Sequence, residues 1–230
     1  MQKKIVVPLS GGMDSATLLG LLLDDGYEVH TLTFYYGSKH NKWENAAAED
    51  LIDYYQRNDA PVIRHFIDIS AVMVDFTSNL MLSGGEIPEG HYEDENMKQT
   101  VVPGRNMIFA SIAAGLAESI GATKIAMGVH SGDHHIYPDC RKEFIKALDS
   151  AVYLSSDGAV EVIVPLIDDD KESILRKGLL CSPPVPYELT RTCYKDQVIS
   201  CGKCGSCQER LLAFKAIGGV DPVSYEGDVN

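Results

Sequence analysis

The sequence predicts an α/β fold: a doubly wound, mainly parallel sheet with helices on both faces, carrying a small C-terminal zinc-binding appendage. Three observations lead there. Short β-branched apolar runs alternate with helical segments in the order βαβαβ. A glycine turn joins the first run to a helix that carries no charge for two turns, so that helix is well buried. Four cysteines crowd together beyond a proline-broken stretch near the C-terminus.

Ile5-Val6-Val7-Pro8-Leu9 is too short for a helix and reads as a buried strand. The leucine-rich helix after it ends at Gly26. Residues 28–35, rich in β-branched and aromatic side chains, form the second strand, and residues 62–67 the third. The helix between them, residues 44–56, turns Trp43, Ala47, Leu51 and Tyr54 or Tyr55 inward. A buried helix over 107–120 leads to a fourth strand over 124–129. After a further helix to about residue 154, a fifth strand covers 160–166. Residues 168–177 open with an acidic turn that suits a helix N-terminus. Pro183, Pro184 and Pro186 then break the pattern, so residues 1–181 read as the sheet domain and 182–230 as the appendage. The acidic loop over residues 84–96 is either a solvated loop or a lid.

With 230 residues, 45% hydrophobic and 23% charged, the chain has the composition of a soluble protein with one substantial core. No apolar run approaches the ~20 residues of a membrane span. Met1-Gln2-Lys3-Lys4 leads directly into the first strand without room for a signal peptide, so the cytoplasm is expected. A net charge of −13 argues against a nucleic-acid partner, which would need a basic face. In such a compartment clustered cysteines point to metal rather than disulfides.

Between the first strand and its helix lies Ser10-Gly11-Gly12-Met13-Asp14-Ser15. The free N–H groups of the first helical turn and the helix dipole make this a site for phosphate. The glycines let the backbone approach an anion, and the two serines add hydroxyl donors. No lysine follows the glycines, so this is not the common P-loop. The motif resembles the PP-loop of ATP pyrophosphatases, the adenine nucleotide alpha hydrolase-like group. That resemblance implies that the loop holds the pyrophosphate end of ATP, with magnesium offsetting the charge of Asp14.

Arg105 stands at a helix start, where a cation is unfavourable unless an anion faces it. The partner is either a ligand or the acidic loop just upstream. Residues 130–141 follow the fourth strand and bring Asp133, His134, His135, Tyr137, Asp139 and Arg141 to the same sheet edge as polar pocket groups. Cys193, Cys201, Cys204 and Cys207 include two successive Cys-x-x-Cys steps. Four thiolates satisfy a closed tetrahedral zinc site of structural type, and an iron–sulfur cluster is the rival occupant.

Four stretches then agree with one family: the glycine turn, Val102-Pro103-Gly104-Arg105-Asn106, Tyr137-Pro138-Asp139-Cys140-Arg141, and Pro186-Tyr187-Glu188-Leu189-Thr190 running into the cysteines. In order, and over nearly the whole chain, they resemble the 7-cyano-7-deazaguanine synthases of the queuosine and archaeosine precursor pathway. The resemblance implies an ATP-dependent ligase acting on 7-carboxy-7-deazaguanine and ammonia through an acyl-adenylate and an amide. It implies a homodimer with ATP, Mg2+ and structural Zn2+. Asp14, Ser15, Arg105 and Asp133 are the catalytic residues so implied. ATP would meet Leu9, Ser10, Gly11, Gly12, Met13, Asp14, Ser15, Ala16, Thr17, Leu18, Leu19, Lys39, His40 and Arg105. The deazaguanine would meet Asn106, Asp133, Tyr137, Asp139 and Arg141. A tRNA thiolase on the same scaffold should carry a basic face, which the charge of −13 opposes.

Overall fold

The computed structural model describes residues 3–91 and 94–227. Met1 and Gln2, Tyr92 and Glu93 of the acidic loop, and the side chain of His134 lie outside the described residues. Lys3–Pro8 (β1), Tyr27–Tyr35 (β2), Val62–Asp68 (β3), Lys124–Ala126 (β4) and Glu161–Ile163 (β5) form one parallel sheet in the order β3-β2-β1-β4-β5. Central β1 is buried on both sides, so its apolar run is continuous rather than alternating. Its side chains still divide by period two. Val6 joins Leu32, Phe34 and Ile125 on one face, while Ile5 and Val7 join Leu18, Leu22 and Val29 on the other.

Met13–Asp24 (α1), Asn41–Arg57 (α2) and Lys171–Leu180 (α5) cover that second face. Arg105–Ile120 (α3) and Lys142–Ser155 (α4) cover the first. Leu18, Leu19 and Leu22 of α1 are at most 2% exposed. Each such leucine stabilises the fold by about 1.5–3 kcal/mol. Gly205–Ala216 (α6) packs through Ala213 and Phe214 onto Leu175, Tyr187 and Met13, so the C-terminal region shares a core with α1 and α5.

Several elements differ from the sequence expectations. β4 and β5 are shorter than the apolar runs that announced them. Past Ala126 the chain leaves the sheet and runs along the first turn of α1, where a Cβ on Gly128 would lie 3.5 Å from Ser15 Cα. Trp43 turns away from the core, its indole donating to Asp196 at 2.9 Å. Only Ala110, Ala113 and Ala117 of α3 are fully buried, and Met107 is 55% exposed. The described part of the acidic loop is largely exposed and does not line the pocket described below. It lies against the cysteine region, with Glu89 bridging to Cys204, Gly90 N–H donating to Lys203 and Ile87 packed on the thiols.

Candidate active site

The sheet order reverses between β1 and β4, and the pocket opens there, at the C-terminal ends of the strands. Ser10, Gly12, Met13, Asp14 and Ser15 line its floor, with Leu9 beneath. Gly11 has φ +76, and a Cβ there would stand 2.6 Å from Glu44 O and 2.7 Å from Ala48 N. Only glycine lets the loop press against the start of α2 in this way. Gly12 caps α1 without a side chain, and Ala16 N–H is the first to bond back, to Gly12 O at 3.0 Å. The N–H groups of Met13, Asp14 and Ser15 therefore precede the helical ladder. Ser10 and Ser15 hydroxyls lie 3.1 Å apart beside them.

Asp14 has a counter-charge within the protein. Lys171 Nζ donates to both carboxylate oxygens, at 2.8 and 2.7 Å. Burial pushes the Asp14 carboxyl up, but the Lys171 ammonium, helped by His130 and Arg210, holds it below the usual carboxylate value. The same ammonium lies 3.2 Å from Glu209, whose carboxyl is raised by burial, and 3.1 Å from the fully buried His130. Asp133 completes this cluster 3.6 Å from His130 and lines the pocket.

Arg105 begins α3 behind Gly104 (φ 64) and reaches the opposite side of the pocket. Its guanidinium donates to Tyr36 at 3.3 Å, and among the described residues it forms no ion pair with a carboxylate. The described residues of the acidic loop therefore do not pair with it. Phe34 and Phe109 stack beside it with centroids 4.0 Å apart, giving the pocket a flat apolar wall. Asn106 and Tyr137 also line this side, the Tyr137 hydroxyl bonding to Thr100 at 2.8 Å.

Other expected residues stand outside the lining. Lys39 turns away, its ammonium held by the carbonyls of Asn79, Gly84 and Gly85. Buried His40 lies 3.4 Å from Glu44. Ala16, Leu18 and Leu19 belong to the core, and Thr17 bonds to Tyr187 at 2.7 Å. Asp139 accepts from Asn106 N–H at 3.0 Å and so anchors the start of α3, while Arg141 sits at the exposed start of α4.

The second wall comes from the C-terminal region: Arg191, Thr192, Tyr194, Ser206 and Glu209. These positions interleave with the cysteines. The Sγ atoms of Cys193, Cys201, Cys204 and Cys207 all lie within 4.8 Å of one another and are buried. A tetrahedral ion with bonds of about 2.3 Å needs sulfurs about 3.8 Å apart, and Cys201 and Cys207 are 3.9 Å apart. Backbone N–H groups of Cys201 and Cys204 point at thiol sulfurs at 3.3 Å. The set fits a closed four-thiolate metal site.

Sequence reading missed Lys171, Glu209 and the second wall. A signal existed for Lys171, a cation in an acidic first helical turn, the same misfit that drew attention to Arg105.

The model for the queuosine biosynthesis protein QueC matches residues 4–218. A 7-cyano-7-deazaguanine synthase of Pseudoalteromonas atlantica is 44% identical over 98% of this chain and 100% of its own length. One of Archaeoglobus fulgidus is 47% identical over 96% of this chain and 89% of its own. Among solved structures, a 4-thiouridine synthetase–RNA complex with bound ATP aligns with 97% of this chain at 20% identity and a TM-score of 0.56. This chain spans 47% of that protein's length, and the likeness shows the shared fold. The sheet order, the glycine loop at its switch point and this match over nearly the full length lead to one conclusion: the chain belongs to the queuosine biosynthesis protein QueC family.

Proposed function

We propose that this chain is an ATP-dependent carbon–nitrogen ligase that converts 7-carboxy-7-deazaguanine and ammonia to 7-cyano-7-deazaguanine. In this reading residues 1–181 are the ATP-binding domain and 182–230 a zinc-binding region packed on it. The observation that carries it is one pocket that joins a phosphate cradle, a flat aromatic wall and a guanidinium that forms no ion pair among the described residues.

A carboxylate is a poor electrophile, so its oxygen first attacks the α-phosphorus of ATP, releasing pyrophosphate and forming an acyl-adenylate. Ammonia displaces AMP and sheds a proton, giving the amide. The amide oxygen attacks the α-phosphorus of a second ATP, releasing a second pyrophosphate, and loss of AMP and the two nitrogen protons leaves the nitrile. The protein's part is mostly charge stabilisation. N–H groups at residues 13–15 and the two serine hydroxyls receive the pyrophosphate. Arg105 orients an anion bidentately, and the Phe34–Phe109 pair takes a flat heterocycle. Magnesium bound with ATP would supply further positive charge at the phosphates, beside the Asp14–Lys171 pair. Cys193, Cys201, Cys204 and Cys207 would hold zinc, which would supply structure rather than chemistry.

A cytoplasmic homodimer is part of the same proposal. No helix among the described residues is long and apolar enough to cross a membrane. Mass spectrometry of the product made from 7-carboxy-7-deazaguanine, ATP and ammonium tests the reading. The nitrile is expected, with two AMP formed per turnover. Accumulation of the amide as final product, or no product, overturns it.

A further inference from the structure

Tyr36 follows the last residue of β2 and shares the sheet face of Phe34. Its N–H is fixed by Asn41 Oδ1 at 2.9 Å, and its ring stands edge-on to Phe109 with centroids 5.5 Å apart. The side chain, 3% exposed, lines the pocket at the rim of the Phe34–Phe109 wall. Its hydroxyl accepts from Arg105 Nη1 at 3.3 Å. A guanidinium can only donate, so the phenol proton needs another acceptor. No described residue supplies one, and Ser38 Oγ nearby makes no hydrogen bond. Tyr137 differs. Thr100 gives its own proton to Met97 O at 2.6 Å, so Tyr137 donates to Thr100 and its proton is spent. Burial, with the charge of Glu44 beside it, raises the Tyr36 pKa and keeps the proton on the phenol oxygen. A buried donor without an acceptor is costly, and a ligand oxygen removes the cost.

The position of this donor says which oxygen. Arg105, its neighbour, is the cation that faces the substrate carboxylate. When that carboxylate becomes an acyl-adenylate, one oxygen bridges to phosphorus and the other stays on carbon as a carbonyl. The lone pair of ammonia then forms the C–N bond, and the carbonyl π pair moves onto the second oxygen as a full negative charge. That pair returns as the bond from carbon to the bridging oxygen breaks, and AMP leaves with the bonding electrons. The surplus nitrogen proton goes to the phosphate of the departing AMP. Two donors 3.3 Å apart can both meet one oxygen at about 2.8–3.0 Å. Lys171 is engaged by Asp14 and Glu209 and does not take this place. Resting on the ligase reading above, we infer that the Tyr36 hydroxyl and the Arg105 guanidinium form the oxyanion hole for the displacement of AMP by ammonia. Tyr36 is thus a catalytic residue for the second step. Its bond strengthens as the acyl oxygen becomes charged, and it adds little while the carboxylate attacks ATP.

The test separates the two steps in the full chain and in Tyr36→Phe, which removes only the hydroxyl. Exchange of labelled pyrophosphate into ATP, with 7-carboxy-7-deazaguanine present and ammonia absent, reads adenylation. Single-turnover amide formation with ammonium reads the displacement. Tyr36→Phe should form the amide roughly 100-fold more slowly, the usual scale for one lost oxyanion donor, while exchange falls by less than about threefold. A second reading uses the unaltered protein with carbon-13 at the tyrosine Cζ atoms. The Tyr36 signal, recognised by its absence from Tyr36→Phe, should move when 7-carboxy-7-deazaguanine binds beside a methylene-bridged ATP analogue. Equal slowing of both steps, or amide formation within about threefold of the unaltered rate, or a Tyr36 signal that ignores the substrate, makes the hydroxyl a prop for Arg105 and overturns the inference. Absence of substrate-dependent exchange in the unaltered protein instead overturns the ligase reading.

Discussion

The two walls of the pocket are built on different physics. The sheet-edge wall, with residues 10–15 and the ends of β1, β2 and β4, rests on strands and helices whose apolar side chains are almost wholly buried. The C-terminal wall, residues 191–209, contains only a short helical start. It is held by four thiols and by Arg210, 1% exposed, which pairs with Asp221 at 2.7 and 2.9 Å and donates to Thr190, Thr192 and Tyr187. Hydrophobic burial is distributed over many residues, so one wall should lose stability gradually. Metal and buried charge are concentrated in a few, so the other should fail at once. The cysteine site, expected in a C-terminal region with a structural role, sits one residue from groups that line the pocket.

The largest effect should come from the metal. Chelation or Cys204→Ser should lower the melting temperature by more than about 10 °C, since closed thiolate sites contribute folding energy directly. Turnover should vanish with it while far-UV circular dichroism keeps the signal of the sheet domain. Activity persisting in metal-free protein would show that the second wall stands without its ion.

Next comes Gly11→Ala. The αL strain costs roughly 1–3 kcal/mol, and a methyl 2.6 Å from Glu44 O forces α2 away. At about 2–4 °C per kcal/mol for a chain of this size, differential scanning calorimetry should show a loss of 5–10 °C (on the order of the upper strain value). A shift under 2 °C, taken as roughly half a kcal/mol, would mean the sheet-edge wall is softer than its packing suggests.

A smaller effect attaches to Asp14. Its folded carboxyl lies below the unfolded value of 3.8, so its stabilising contribution is complete above that value and is lost as pH falls through the folded one. Asp14→Asn should lower stability across neutral pH and flatten the acid limb below pH 3.8 in denaturant titrations. An unchanged acid limb would remove the Lys171 pair from the account.

Arg105→Lys should change the ligand-free melting temperature least, by under about 2 °C, because the side chain has no ion-pair partner among the described residues to lose. Ammonium cannot reproduce a bidentate guanidinium contact, so turnover should fall by roughly 10- to 100-fold and the ligand-induced melting shift should shrink. A large ligand-free loss with the shift retained would make it a structural residue.

The sheet-edge wall was largely legible in the sequence and the C-terminal wall was not. Alternating β and α segments, the glycine turn and the cysteine spacing are local patterns, and each survives in the structure. Lys171 meets Asp14 across 157 residues, and such pairing leaves no periodicity to read. Lys39, expected to meet ATP, has its ammonium on the carbonyls of Asn79, Gly84 and Gly85, a pairing that nothing in the local sequence announces. Tyr194 and Ser206 were hidden beside cysteines whose own meaning was plain, because nothing local says which way a metal-held turn faces.

That long-range pairing also sets an order in time. A nascent chain exposes Asp14 and its glycine loop well before the ribosome has added Lys171, 157 residues later, and Arg191 follows later still. At ~5–20 residues per second the interval to Lys171 is roughly 10–30 s. During it, the emerging α1 carries a carboxylate awaiting its counter-charge, beside a cleft with one side missing. An interrupted translation product that stops short of the cysteines would own the loop most diagnostic of nucleotide binding and lack the wall that completes the cleft.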